Sequence, residues 1–190
     1  GWYYALALEW LQAAPFPYDW RLSVNDTADK LAAFVEEKFN DGTFDPNRVV
    51  HFVAHSMGVL VVRSFIRQHT DFWRKLNGRF VMLGTPNSGS FAAIQTLMGR
   101  NSLVKTIAGV LPFQSKADWF GIVNSFPGLY QLCPSKLINP EVYEKAIWEK
   151  FPDVAFDGQV QLVPKFHQDL YDSREATVDA NRMTYIAGVG

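Results

Sequence analysis

The alternation of apolar and polar positions predicts a helix, a strand and a second helix in the first half of the chain. Residues 25–39 carry apolar side chains at helical spacing, with Asp26 or Thr27 as the candidate N-cap. Residues 49–54 are apolar on both faces apart from one histidine, which is typical of a strand covered by helices on both sides. From Gly58 onward the period returns to 3.6, so a second helix follows this strand directly.

The complete pattern predicts an α/β fold with a mainly parallel sheet and helices on both faces. Strands are expected at 49–54, at 80–83 and at 183–187, and another near residues 18–22, a stretch whose pattern also fits a turn. The segment 88–179 is much longer than an ordinary crossover between parallel strands, so we interpret it as a helical cap or lid insertion. The chain of 190 residues is long enough for one domain of this kind.

Composition narrows the possible partners. Hydrophobic residues make up 48% of the chain, which supports a sizeable core. The net charge is −1 and the cations are scattered, which argues against nucleic acid and against a polybasic membrane signal. The chain has one cysteine, Cys133, so an internal disulfide and a zinc site of paired cysteines are both excluded.

The two ends suggest a piece of a longer protein. Trp2, Leu6 and Trp10 share a helical face, but this stretch is too short, and too interrupted by Glu9, to be a transmembrane segment. It also lacks the basic leader and cleavage site of a signal peptide, and the compartment stays open. The chain begins with Gly1 instead of methionine, and its far end, "RMTYIAGVG", is strand-like through Ile186 and stops among glycines, so we expect truncation at both ends.

A serine stands where the first predicted strand meets the second helix. Ser56 has small neighbours two positions away on each side, Ala54 and Gly58, which would let the strand and helix pass closely. A sharp turn there lifts the hydroxyl above the sheet edge, as a nucleophile requires. The backbone N–H of Met57 begins the helix and could donate to an oxyanion.

Other interpretations of the polar residues around this turn stay open. Ser56 could simply cap the helix, although a cap does not require small residues on both flanks. His55 adjoins the serine on a tight turn, so packing is expected for it instead of base catalysis. His51 falls within the buried strand and is expected to be a hydrogen-bonded core histidine.

Four segments, in order, resemble the lecithin:cholesterol acyltransferase-like branch of the α/β-hydrolase lipases and esterases. "AHSMG" is similar to the nucleophile elbow of these enzymes, with Ala54 where glycine is commoner. "PFPYDWRL", "VMLGTPNSGS" and "SFPGLYQLCP" resemble three further family segments. Together they span most of the chain.

This resemblance implies an α/β-hydrolase fold and a serine hydrolase or acyltransferase acting on a lipid or another hydrophobic ester. Ser56 would be the nucleophile and the Met57 N–H an oxyanion donor, with no metal or organic cofactor. The cap would shape the acyl pocket and could touch a lipid surface transiently; "FAAIQTLMG" and "LVKTIAGVLPF" are apolar enough to line such a pocket. The aromatic residues of the stretch 119–130 fit either this pocket or ordinary core.

A serine nucleophile of this kind works in a catalytic triad with a histidine and an acid, and these two residues are harder to place. The resemblance implies an acid beyond Gly188, a histidine later still and a second oxyanion donor upstream of Gly1, all outside this chain. Within it, His167 and Asp169 are the downstream candidates for base and acid, although they fall inside the expected cap. Two other functions stay open: a catalytically inactive binding protein of the same fold, and an amidase or peptidase that uses the same triad.

Overall fold

A computed structural model of the protein describes residues 9–98, 121–150 and 159–188. The predicted N-terminal helix lies outside these ranges except for its last residues, which are helical at 9–11. The predicted apolar segment "LVKTIAGVLPF", residues 103–113, also lies outside the described residues.

Helices precede and separate the three strands of the described chain. The helices are α1 (Val24–Asn40), α2 (Met57–Gln68), α3 (Thr70–Leu76), α4 (Phe91–Leu97), α5 (Pro127–Gln131), α6 (Lys145–Trp148), α7 (Gln159–Asp172) and α8 (Arg174–Thr177). A 3-10 turn covers Pro140–Tyr143. The strands are β1 (Phe52–His55), β2 (Phe80–Leu83) and β3 (Met183–Ile186).

The three strands form one parallel sheet in the order β1-β2-β3, which confirms the α/β class. Phe52 is in register with Phe80, and Phe80 with Met183. Strand β1 begins three residues later than predicted. Long connections of the kind that parallel strands need join β1 to β2 and β2 to β3.

The strand predicted near residues 18–22 is wrong. The backbone N–H of Leu22 donates to the Asp19 carbonyl at 3.2 Å, which closes a turn. The Arg21 guanidinium also donates to the Asp19 carboxylate, with Nη2 to Oδ2 at 2.6 Å, and this contact lowers the pKa of Asp19 to about 2. The local ion pair bends the chain where apolar side chains alone suggested an extended segment.

Helix α1 begins earlier than predicted, with a different cap. Its N-cap is Ser23, whose Oγ accepts from the Asp26 N–H at 3.5 Å. Thr27 lies inside the helix, where its hydroxyl donates to the Ser23 carbonyl at 2.8 Å. The assignment of Asp26 or Thr27 as the cap is therefore wrong, because Val24, an apolar residue before the first polar run, is already helical and fully buried.

The main core lies between α1, α2, α3 and one face of the sheet. Phe52 and Phe80 are buried there, and the predicted apolar side of α2 is buried as well. On the opposite face Val53 and Ile186 are 48% and 52% exposed. In the ranges described, helices therefore cover one face of the sheet, and the expected covering of the second face is not met by these residues.

A second hydrophobic cluster is formed by α4, α5, α6, the 3-10 turn and the first half of α7. Tyr130 belongs to it, is 2% exposed and donates to Asn124 Oδ1 at 2.8 Å, so it is core. Helix α7 joins the two clusters, because Val163 packs into the second and Phe166 into the first. Trp119 and Phe120 lie outside the described residues.

Candidate active site

The chain turns sharply at Ser56, between β1 and α2. Its φ of 53° and ψ of −127° lie outside the regions that residues with a Cβ ordinarily adopt. Such a conformation costs on the order of 1–3 kcal/mol and persists only where the surrounding structure holds it. One restraint is the Ser56 N–H, which donates to the Leu83 carbonyl at 3.0 Å and so continues the β1–β2 ladder into the turn.

The Ser56 hydroxyl does not cap the helix that it precedes. Two other serines in N-cap positions do so: Ser23 Oγ accepts from the Asp26 N–H, and Ser90 Oγ accepts from the Ala92 N–H at 3.2 Å. Ser56 therefore differs from ordinary capping serines both in its backbone conformation and in the use of its side chain. The capping interpretation of this serine is wrong.

Small residues flank the turn where strand and helix approach each other. A Cβ atom added to Gly58 would lie 3.8 Å from the Ala54 Cβ and 3.6 Å from the Tyr18 hydroxyl oxygen. These are ordinary van der Waals distances, so a methyl group would fit, but a larger side chain would displace its neighbours. The contact also shows that the Tyr18 side chain lies against the turn formed by residues 54–58.

Met57 is the first residue of α2, so its N–H has no acceptor within the helix. Its side chain is buried and reaches the segment around Gly128, where an added Cβ would lie 2.9 Å from Met57 Cε. The N–H belongs to a helix of 12 residues, whose dipole favours negative charge at this end. The use of this N–H as an oxyanion donor remains a prediction.

Close backbone contacts join other segments of the chain to one another. The Gly128 N–H donates to the Arg21 carbonyl at 3.2 Å, and a Cβ on Gly128 would lie 2.2 Å from the Trp20 carbonyl oxygen. At a second contact, the Ser90 N–H donates to the Leu132 carbonyl at 2.8 Å. Backbone contacts therefore join segments that are distant in sequence, and one of them, at Gly128, lies beside the Met57 side chain.

Glycine is required at the second contact. Gly89 has φ of 79°, and a Cβ on it would lie 2.1 Å from the Cys133 carbonyl oxygen. Both glycines lie in segments quoted above for the family resemblance, but the close backbone contacts at Gly89 and Gly128 were not predicted; glycines in turn-rich segments were the available signal.

The candidate base and acid make their hydrogen bonds elsewhere. His167 is 4% exposed, and its Nε2 lies 2.9 Å from the Cys133 carbonyl oxygen, to which it can donate. Burial lowers the pKa of His167, while that carbonyl partly opposes the shift. Asp169 instead pairs with Lys165, with Nζ 2.8 Å from both carboxylate oxygens. In the described part of the chain, neither side chain is hydrogen-bonded to Ser56.

The other two histidines discussed above lie close to the ends of β1. His51 is exposed and precedes the strand, so its assignment to the core is wrong; its Nδ1 nevertheless accepts from the Arg79 N–H at 3.0 Å. His55 packs its ring beside Gly84, where an added Cβ would lie 3.7 Å from Nε2.

Comparison with known proteins identifies the family. The model of the lecithin:cholesterol acyltransferase family matches residues 11–169, so the chain belongs to this family of lipid acyltransferases and hydrolases. The match includes Ser56 and the segments that surround it. No curated protein and no solved structure matches the chain significantly. Among the described helices, none has the length and apolar character needed to cross a bilayer.

Proposed function

We propose that this protein is a serine-dependent hydrolase or acyltransferase that acts on a lipid or another hydrophobic carboxylic ester through an acyl-serine intermediate. The observation that carries the proposal is the strained conformation of Ser56, with φ of 53°, at the carboxyl end of β1. Strain of this size is expected to persist where it serves a function. Membership of the acyltransferase family supplies the lipid ester chemistry.

In the proposed reaction the Ser56 oxygen attacks the ester carbonyl carbon while a base takes its proton. The tetrahedral oxyanion accepts a hydrogen bond from the Met57 N–H. As the intermediate collapses, the bond to the leaving alcohol breaks, and the alcohol departs with the proton. Water or an acceptor alcohol then attacks the acyl-enzyme and regenerates the serine. This mechanism needs no metal or organic cofactor.

The proton acceptor is the least supported part of the proposal. For His167 to act as the base, its ring would have to leave the Cys133 carbonyl and emerge from a site where it is 4% exposed. Asp169 is held by Lys165 and does not orient the ring. The geometry therefore favours a base other than His167, in agreement with the triad positions that the family resemblance implies.

We also propose that residues 88–179 form a cap within an α/β-hydrolase fold. The second hydrophobic cluster supports this, because its helices pack on one another apart from the sheet. The exposed apolar side chains Leu137, Ile138 and Leu162 lie on this segment, at 48%, 63% and 65% exposure. Such side chains suit transient contact with a lipid surface.

The decisive variant is Ser56→Ala in the complete protein. We expect turnover of a long-chain p-nitrophenyl ester to fall by at least about a thousandfold, because the nucleophile is lost. Ser23→Ala is the matched control, since it removes a serine that caps α1. It should cost about 1 kcal/mol of stability and leave the turnover of the folded protein unchanged. Equal turnover by Ser56→Ala and the wild type would refute the mechanism.

Two substrate series separate the alternative functions. Esters of increasing acyl length should be turned over faster as the chain lengthens if the substrate is a lipid. A preference for a matched amide would instead support the amidase or peptidase alternative. If the wild type binds long-chain esters but turns none over, the protein is a non-catalytic binding member of the fold.

A further inference from the structure

A buried threonine hydroxyl follows the carboxyl end of β2 without a hydrogen-bond partner among the described residues. Thr85 is 7% exposed, and its Oγ exposes less than 1 Å². Thr27 is buried to a similar extent, but its hydroxyl donates to the Ser23 carbonyl at 2.8 Å. Because a buried hydroxyl that lacks a partner is costly, the Thr85 hydroxyl calls for a partner from outside the described ranges.

Backbone hydrogen bonds place this residue between the ends of the two outer strands. On one side of β2, the Ser56 N–H donates to the Leu83 carbonyl at 3.0 Å. On the other side, the Gly84 N–H donates to the Ile186 carbonyl at 2.9 Å. Thr85 follows directly, so it stands at the same edge of the sheet as Ser56 and next to the end of β3.

The end of β2 lies between Ser56 and the chain that follows β3. Neighbouring strands lie about 4.8 Å apart, so the ends of β1 and β3 are separated by roughly 10 Å. One hydrogen bond of about 3 Å cannot span this separation. A carboxylate that follows β3 can therefore serve Ser56 only through an intermediate side chain, the base, which would lie above the end of β2.

We propose that Thr85 is a positioning residue for the reaction proposed above, and that its hydroxyl donates to the carboxylate of the catalytic acid, which the chain following β3 supplies. This inference rests on the proposed function and on the position of the acid that the family resemblance implies. A carboxylate has two oxygens, so it can accept from the ring N–H of the base on one and from Thr85 on the other. A bond to a charged acceptor is stronger than one to a neutral acceptor, and it would hold the acid in one orientation.

The test compares variants of Thr85 in the complete protein, with a long-chain p-nitrophenyl ester as the substrate. Thr85→Val keeps the shape of the side chain without the hydroxyl, and it should lower kcat by about tenfold or more. KM should stay within about twofold, because Thr85 is buried and does not touch the substrate. Thr85→Ser keeps the hydroxyl, so its kcat should stay within about threefold of the wild type. Thr85→Ala also lacks the hydroxyl and should show the same loss as Thr85→Val.

Thr27→Val is the matched control, since it removes a buried hydroxyl that is bonded within α1, away from the sheet edge. The folded Thr27→Val protein should keep the kcat of the wild type. Melting temperatures of all variants distinguish a lost catalytic contact from lost folding. If the Thr85 hydroxyl has no partner in the complete protein, Thr85→Val should melt at a higher temperature than the wild type and keep its kcat, and this result would overturn the proposal.

Other outcomes also decide the question. Equal losses of kcat in Thr85→Val and Thr85→Ser would mean that packing, not the hydroxyl, is what matters, and the proposal would be wrong. Ser56→Ala, measured alongside, separates this proposal from the one on which it rests. Turnover that survives Ser56→Ala refutes the proposed function itself. Turnover that is lost in Ser56→Ala but kept in Thr85→Val refutes only the role of Thr85.

Discussion

The elbow region, residues 24–83, and the following segment, residues 88–148, are stabilised in different ways. The elbow region consists of long helices and parallel strands that bury large side chains such as Phe65 and Phe80. In its described ranges, 88–98 and 121–148, the following segment has short helices, and Gly89 and Gly128 bring backbone against backbone there. The first region can therefore hold a strained residue, while the geometry of the second depends on contacts between distant parts of the chain.

This difference bears on the site. Ser56 is strained but partly exposed, as a nucleophile must be. His167 is relaxed in a helix, buried and hydrogen-bonded to a backbone carbonyl of the second region. The environment of Ser56 is therefore set by the turn between β1 and α2, whereas the hydrogen bond of His167 depends on the backbone at Cys133, although α7 also packs Phe166 into the main core.

The largest effect expected in the second region concerns the reactivity of Cys133. Burial raises the pKa of this thiol to about 12, and the side chain is 4% exposed. Because the thiolate is the reactive form, alkylation by iodoacetamide at pH 8 should be slower by about a thousandfold or more than in the denatured protein. Labelling followed by mass spectrometry measures this, since the chain has a single cysteine.

Labelling of the denatured protein also serves as the control, because it shows that the iodoacetamide is active. A folded protein that labels almost as fast as the denatured one would show that the segment around Cys133 opens readily. In that case the backbone contacts at Gly89 would not keep Cys133 shielded from the reagent. The two regions would then differ in their stability against local opening.

The next effect tests the backbone contact itself. Gly89 and Gly42 share φ of 79°, but a Cβ on Gly89 would lie 2.1 Å from the Cys133 carbonyl oxygen, whereas Gly42 has nothing within 4 Å. Gly42→Ala should lower the free energy of unfolding by about 1 kcal/mol, from the left-handed backbone alone. Gly89→Ala should lower it by about 3 kcal/mol, because the clash adds to that cost. Urea denaturation of both variants measures the difference.

Equal losses for the two variants would mean that the chain around Cys133 can shift without cost. The contact would then be adjustable, and Gly89 would be needed only for its backbone conformation. A larger loss for Gly89→Ala, with the Cys133 labelling rate rising in the same variant, would tie both effects to one closed contact.

Much of the elbow region could be predicted from the sequence because its determinants are local. The apolar run before His55, the small residues at 54 and 58 and the helical period after them predict a strand, a sharp turn and a helix. Strand β2 was predicted with the observed bounds for the same reason. Where a polar pair intervened, as with Asp19 and Arg21, the apolar pattern fitted a strand or a turn, and the strand chosen for the predicted sheet was wrong.

The second region and the candidate site around it were less predictable because their determinants are long-range. Arg63 falls on the polar side of its helix by periodicity, yet folding places it in a cavity formed by residues near 88, 135 and 174. His167 was the candidate base within this chain because of its position after Ser56, but its environment is set by Cys133, a residue far away in sequence. No local pattern encodes such a partner.

The smallest expected effect concerns the elbow region and tests the backbone strain at Ser56. Glycine adopts φ of 53° without the Cβ penalty, so Ser56→Gly should be more stable than Ser56→Ala by about 1 kcal/mol, after allowance for the greater entropy of glycine in the unfolded chain. Urea denaturation of the two variants, neither of which carries a hydroxyl at position 56, measures this difference. Greater stability of Ser56→Gly would show that the elbow region keeps this residue in a costly conformation. Equal stability would mean that the turn relaxes once the serine is replaced, and that the core does not impose the strain.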